Sequence, residues 1–140
     1  MAVYEPTTET ILGVTVEIDG ISVDGWQRVD IPASSTEPGT GNGDTWGETT
    51  YQDVEMARVV GSSDTILYDW REAIANDDSD DGLKDVEITA IGEDGSDLIK
   101  WTFADAWIKY YEPPQIDVSG EGLITERITL GYDSMDRELL

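Results

Sequence analysis

Four aspartates, Asp77, Asp78, Asp80 and Asp81, crowd the segment Asn76-Asp77-Asp78-Ser79-Asp80-Asp81-Gly82. Clustered carboxylate oxygens are what a hard cation seeks. Setting Gly82 at the glycine of a calcium-binding loop puts Asp77, Ser79 and Asp81 at ligand positions, but the closing glutamate then falls on Ile88. The pattern fails, and the segment reads as a solvated acidic loop. Paired carboxylates also hydrolyse glycosides. Among 31 acids some pair always has the right spacing, so spacing is uninformative here. Trp26, Trp46, Trp70, Trp101 and Trp107 offer flat faces for stacking sugar rings, as in a carbohydrate-binding β-sandwich module. The competing reading puts Trp70 and Trp101 in the core and two of the other three in core or interface. Gly39-Thr40-Gly41-Asn42-Gly43 lacks the lysine and the strand-to-helix context of a phosphate loop.

The chain has no histidine and no cysteine. Disulfides, thiolate or imidazole metal sites, and Ser-His or Cys-His nucleophiles are therefore excluded. No catalytic residue, metal or cofactor is expected, and the protein reads as a non-enzyme.

The balance of 8 basic against 31 acidic residues leaves a net charge of −23. Such a surface repels nucleic acid, which argues against sequence-specific DNA binding. High charge can signal disorder, but five Trp, six Tyr and alternating strands argue against it. The remaining explanation is adaptation to high salt, where the Debye length shrinks to ~3 Å at 1 M and dense carboxylates hardly repel.

The 140 residues suit one domain over 1–140. No stretch approaches the ~20 apolar residues needed to span a bilayer, so no membrane insertion is expected. Met1 to Pro6 has neither a basic segment nor an apolar core, so no signal peptide is expected.

The elements follow from periodicity. Val14, Val16 and Ile18 alternate with Thr15, Glu17 and Asp19, and Asp19-Gly20 marks a hairpin turn. A second strand runs from Ile21 to Ile31, irregular near Asp24-Gly25. Pro32 to Thr50 shows no period and reads as a long loop (32–50), either a surface loop or an arm that orders against a neighbouring subunit with Trp46 as anchor. A third strand over Tyr51 to Val60 puts Val54, Met56 and Arg58 on one face. Gly61-Ser62-Ser63-Asp64 is a helix-cap cluster. Ile66, Leu67, Trp70, Ala73 and Ile74 then form one apolar stripe, predicting a helix over 65–75. Further strands are expected around Val86 to Ala90, Leu98 to Phe103, Ala106 to Tyr111 and Ile124 to Tyr132. Glu126 interrupts the apolar face of the last; it lies near a rim or pairs with Arg127 or Arg58. The sum is a mainly β fold, a sandwich or barrel of about seven strands with one helix.

Trp101-Thr102-Phe103-Ala104-Asp105-Ala106-Trp107-Ile108-Lys109-Tyr110-Tyr111 carries aromatic residues at nearly every other position. It resembles the aromatic signature of contractile-tail tube proteins, the family of the T4-like phage tail tube and of the inner tubes of contractile injection systems. Three other elements match in order: Val14 to Ile21 around Asp19-Gly20, Val54 to Arg58 leading to Trp70, and Glu126-Arg127-Ile128-Thr129-Leu130-Gly131-Tyr132. Ile108 and Val59 depart from the proline and glycine many relatives carry there. The resemblance extends to proteins of haloarchaea and their viruses.

The resemblance implies a virion structural protein whose hexameric rings stack into a hollow tube. Double-stranded DNA passes down the bore of a viral tail; an injection system would instead deliver protein effectors. Implied partners are further copies of the chain, a sheath, a baseplate or tail tip, and a tape-measure protein. Assembly would take place in the host cytoplasm. Trp70, Trp101, Phe103, Ala106, Trp107, Lys109, Tyr110 and Glu126 become family-signature residues of core or interface. Pro38, Trp46 and Tyr51 become candidates for an inter-subunit arm.

Overall fold

The structure is a computed structural model describing residues 11–41, 44–60, 65–76, 82–116, 118–119 and 124–140. The expected cap cluster at 61–64 and the acidic loop at 77–81 lie outside the described residues.

Strand β1 (Ile11–Ile18) buries Val16 and Ile18 and exposes Thr15 and Glu17, as its alternation requires. Asp19 (φ 53°) and Gly20 (φ 78°) both take the left-handed conformation that a tight hairpin needs. They turn the chain into β2 (Ile21–Val23), with Ile18 opposite Ile21. The expected single strand from Ile21 to Ile31 is two strands. Gly25 (φ 92°) lies so close to Val59 that an added Cβ would sit 2.7 Å from its carbonyl oxygen. Beyond that break β3 (Trp26–Asp30) leaves its neighbour's sheet and pairs with β6 (Val54–Val59).

Between them, the expected long loop at 32–50 is an antiparallel hairpin, β4 (Ser34–Gly41) and β5 (Asp44–Tyr51). Among the described residues its strands pair only with each other. Thr36 and Thr49 hydroxyls meet at 2.6 Å and Ser35 and Thr50 at 3.1 Å. Such cross-strand Ser/Thr pairs stabilise a ribbon without any apolar face. Neither face is packed on the core, so no hydrophobic alternation marks these strands.

Helix α1 (Ile66–Ala75) buries Leu67 and Trp70 on the expected stripe. Strands β7 (Lys84–Gly92), β8 (Asp97–Glu112), β9 (Thr125–Gly131) and β10 (Ser134–Leu139) follow. The two strands expected over 98–103 and 106–111 are one strand of 16 residues, jointed at Asp105, whose φ is 50°. On one flank of β8, β7 covers residues 97–106. On the other, β10 runs beside 99–104 and β9 beside 107–112. β8 thus belongs to two sheets, β2-β1-β7-β8-β10 and β8-β9-β6-β3.

The core forms between these sheets, making a mainly β sandwich with one helix. Val16, Ile18, Val86, Ile88 and Phe103 come from the first sheet. Val54, Met56, Ile108, Ile128 and Leu130 come from the second, and Leu67 and Trp70 from the helix. The described residues contain ten strands rather than about seven. The hairpin adds two, the split at Gly25 one and the unforeseen β10 one, while the fusion of two expected strands into β8 removes one.

Candidate assembly surfaces

The signature residues divide by depth. Trp70 is buried and its indole N–H donates to the Gly82 carbonyl at 2.9 Å. Phe103 is buried edge-on to Tyr132, ring centres 5.1 Å apart. Ala106 is fully buried. Trp101 and Trp107 are half-buried, Trp107 lying flush on Gly131. Lys109 and Tyr110 are exposed, and Lys109 Nζ reaches Asp53 at 2.9 Å. Trp70, Phe103 and Ala106 therefore shape the interior, while Lys109 and Tyr110 belong to a surface.

Glu126 is the polar member of the interior. It sits opposite Arg58 across β6 and β9, and Arg58 Nε donates to Glu126 Oε1 at 2.6 Å. Of the two partners expected, Arg58 holds the carboxylate; Arg127 points away and lies 3.6 Å from Glu112. Tyr111 Oη donates to Glu126 Oε2 at 2.7 Å. The Trp26 ring lies 5.9 Å from the Arg58 guanidinium. Burial, and next the hydrogen bond to Glu126, push the Tyr111 phenol well above its ordinary range. The cluster locks β3, β6, β8 and β9 in register. Tyr111 and Trp26 had no sequence signal for this role, because each joins through a strand distant in the chain.

The second sheet, β8-β9-β6-β3, has two open edges. Among the described residues no strand covers the outer edge of β3, nor the flank of β8 beyond Ala106. Helix α1 lies near that flank. Arg71 Nη1 donates to the Ile108 carbonyl at 3.0 Å, and Tyr68 meets Tyr111 edge-on. Arg71 stands beside Trp70 on a helix, and nothing local in the sequence flags its reach to Ile108.

The face of this sheet away from the core carries paired charges. Arg28 holds Asp30 at 3.0 Å and Arg127 approaches Glu112, with Glu55 beside them. The Asp30 carboxylate beside Arg28 raises the guanidinium pKa further. This face is nearly neutral in a chain of net charge −23.

The candidate arm residues Pro38, Trp46 and Tyr51 all lie on the β4–β5 hairpin and are exposed. Pro38 is opposite Trp46 across the ribbon. Trp26, Trp70, Trp101 and Trp107 are buried or half-buried, which leaves Trp46 alone with an open face among the tryptophans. A platform for several sugar rings is not assembled. Among the described residues no group of carboxylates has a metal-binding arrangement, and no helix is long and apolar enough to cross a membrane.

A model of the family described as T4-like virus tail tube protein gp19 matches residues 15–136. No curated protein matches the sequence. Solved structures with the same fold include the sheath–tube complex of an extracellular contractile injection system, PVC, in its extended state. That chain superposes with a TM-score of 0.73 at 18% identity, over 91% of this chain and 88% of the other. The tube-terminating cap of the anti-feeding prophage superposes at 0.72 and 18% identity, over 100% and 95%. Hcp1 from Flavobacterium johnsoniae superposes at 0.65 and 16% identity, over 89% and 93%.

Proposed function

The chain belongs to the T4-like virus tail tube protein family, and from that premise we propose that it is the repeating subunit of stacked hexameric rings. As a tail tube protein of a contractile tail or injection system it is structural, not enzymatic. The observation that carries the ring reading is the pair of open edges on β8-β9-β6-β3. An open edge is a liability that pairing with another chain removes. The edges belong to different strands, so copies join head to tail, β3 of one against β8 of the next. A head-to-tail contact closes into a ring when its rotation permits. The sheets of six copies then form one continuous inner barrel.

The nearly neutral outer face of that sheet would line the bore. With its guanidinium groups already facing carboxylates, it offers few free cations to hold phosphates. That suits a conduit through which double-stranded DNA slides, the role we assign it in the virion tail of a virus of a high-salt host. Sheath, tape-measure and tail-tip proteins are the proposed partners, in line with chains of this fold occurring in a sheath–tube complex and a baseplate assembly. A second reading, the inner tube of an injection system delivering proteins, is favoured by the likeness to injection-system chains. Neighbouring genes separate the two: capsid and portal genes mark the virus, an ATPase and toxin cargo the injection system.

Electron microscopy of the purified protein in molar salt tests the shared core of both readings. Rings or striated tubes are expected. Compact monomers alone, at high concentration, would sink it.

A further inference from the structure

Helix α1 and strand β8 meet along the flank that no strand covers among the described residues. Tyr68 reaches Tyr111, ring centres 6.5 Å apart, and Arg71 Nη1 donates to the Ile108 carbonyl at 3.0 Å. Tyr68 and Arg71 stand three positions apart and so share one face of the helix. As the helix advances from 68 to 71, its contacts on the strand step back from 111 to 108. That face therefore runs counter to β8 along its edge and covers it with side chains instead of a strand. Covering an edge with a helix is one way proteins prevent stray strand pairing.

The Arg71 contact stands apart from those of the other bases. Arg28, Arg58, Lys84, Lys100, Lys109 and Arg127 each face a carboxylate, at distances from 2.6 to 3.8 Å. Acids outnumber bases 31 to 8 in this chain. Arg71 nonetheless gives its donor to a neutral backbone carbonyl, and that carbonyl is on the open flank of β8. Ile108 is paired on its other side with Leu130 of β9. The guanidinium thus stands where the N–H of an added strand would have to come.

We propose that Arg71 is a latch on the β8 edge: in the free subunit it holds the Ile108 carbonyl, and a second copy of the chain adds its β3 there only by displacing the guanidinium with a backbone N–H. The proposal rests on the ring reading and names what regulates its joint. Each joint exchanges one hydrogen bond for another at Ile108, so a chance encounter of two edges gains little there. A full row of strand bonds outweighs the latch, whereas a misplaced or partial pairing does not. The cation thereby holds a bare edge in check until a correctly placed neighbour arrives.

Arg71→Met keeps the apolar stem of the side chain and removes its donors. Arg71→Ala removes the same donors with a strong helix former, so the test does not depend on one variant folding. Arg71→Lys keeps a cation with donors of its own. Melting temperature and the protein concentration at which assembly begins are measured in molar salt, the latter by light scattering and electron microscopy. Arg71→Met and Arg71→Ala are expected to melt lower than the wild type, yet to assemble at about tenfold lower concentration, the worth of one hydrogen bond to a charged group. Loss of the cation makes the chain more negative, which by itself opposes assembly, so the gain cannot come from charge. Arg71→Lys is expected to stay nearer the wild type. Assembly of Arg71→Met and Arg71→Ala at the wild-type concentration would show that the contact survives joining and would overturn the latch. Assembly only at higher concentration would make Arg71 a support of the joint and would overturn it too, as would Arg71→Lys assembling as readily as Arg71→Met. In each of these cases the ring reading stands. Failure of the wild type to assemble would overturn the ring reading and the latch together.

Discussion

Arg58 and Glu126, 68 positions apart, face each other across β6 and β9 and pair at 2.6 Å inside the core. Both are almost wholly buried. Two such charges tolerate burial only together, because each offsets the desolvation of the other. Arg58 also donates to the Asp24 carbonyl, and Tyr111 completes the carboxylate. Replacing one partner, by Glu126→Leu or Arg58→Met, is expected to cost about 3–5 kcal/mol. The double replacement should recover most of that loss. Urea unfolding in molar salt measures both, and a double variant no more stable than either single would contradict the account.

Tyr111 links stability to alkaline pH. Its folded pKa is raised above the ordinary phenol value of 10.0, first by burial and then by Glu126. A group with a raised folded pKa contributes stability that is complete below its unfolded pKa and is lost as pH rises through the folded value. The protein should therefore lose stability above about pH 10. Tyr111→Phe should weaken it at neutral pH by about 1.5–3 kcal/mol, the worth of a hydrogen bond to a charged group. The variant should also show a shallower alkaline decline. The slope that remains belongs partly to Tyr132, whose pKa is raised by burial and then by Asp53. Parallel alkaline declines in variant and wild type would rule Tyr111 out.

Gly131 is small because Trp107 lies on it. An added Cβ would sit 2.5 Å from Trp107 Cζ2. Gly131→Ala should cost about 1–3 kcal/mol by overpacking. Gly13→Ala has open space and should stay within about 0.5 kcal/mol. Comparing the two melting temperatures separates the contact from the general effect of adding a methyl to a strand.

Salt should strengthen folding and assembly. A proposed ring of six would carry six times −23, and at 0.01 M salt the Debye length of ~30 Å lets such charges repel across a whole domain. At molar salt the repulsion is confined to near neighbours, and apolar burial at ~25 cal/mol per Å2 dominates. Light scattering against NaCl or KCl should rise into the molar range. Equal assembly in dilute buffer would refute the high-salt explanation of the charge while leaving the tube assignment standing.

The hairpin should change its protease sensitivity with assembly. In monomers the described residues of β4 and β5 are mostly exposed, and the segment Pro32 to Thr50 should be nicked first. In tubes, docking should protect it. Mass spectrometry of limited digests in the two states checks this, and equal cleavage rates would count against a docked arm.

Much of the fold was legible because burial leaves a period. Val16 and Ile18 in β1, Val86 and Ile88 in β7, and Leu67 with Trp70 in α1 all repeat at the spacing of their element and all are buried. Elements without a buried face were missed. The β4–β5 ribbon is held by Ser and Thr pairs, and β10 exposes most of its residues at the sheet edge. The joints were missed for another reason. The conformations of Gly25 and Asp105 reroute the chain between sheets, and such a change of partner has no local pattern.

The sequence by itself ruled out Ser-His and Cys-His nucleophiles, for it has no histidine or cysteine, and the order of its aromatic and acidic strands carried the resemblance to a tube subunit. Only the tertiary structure decided that Glu126 takes Arg58 rather than its neighbour Arg127. It also decided which edges stay open and that Trp46 stands outside its own core. Periodicity reports which side of one element is buried, whereas these relations depend on the register between segments distant in the chain, which no local window contains.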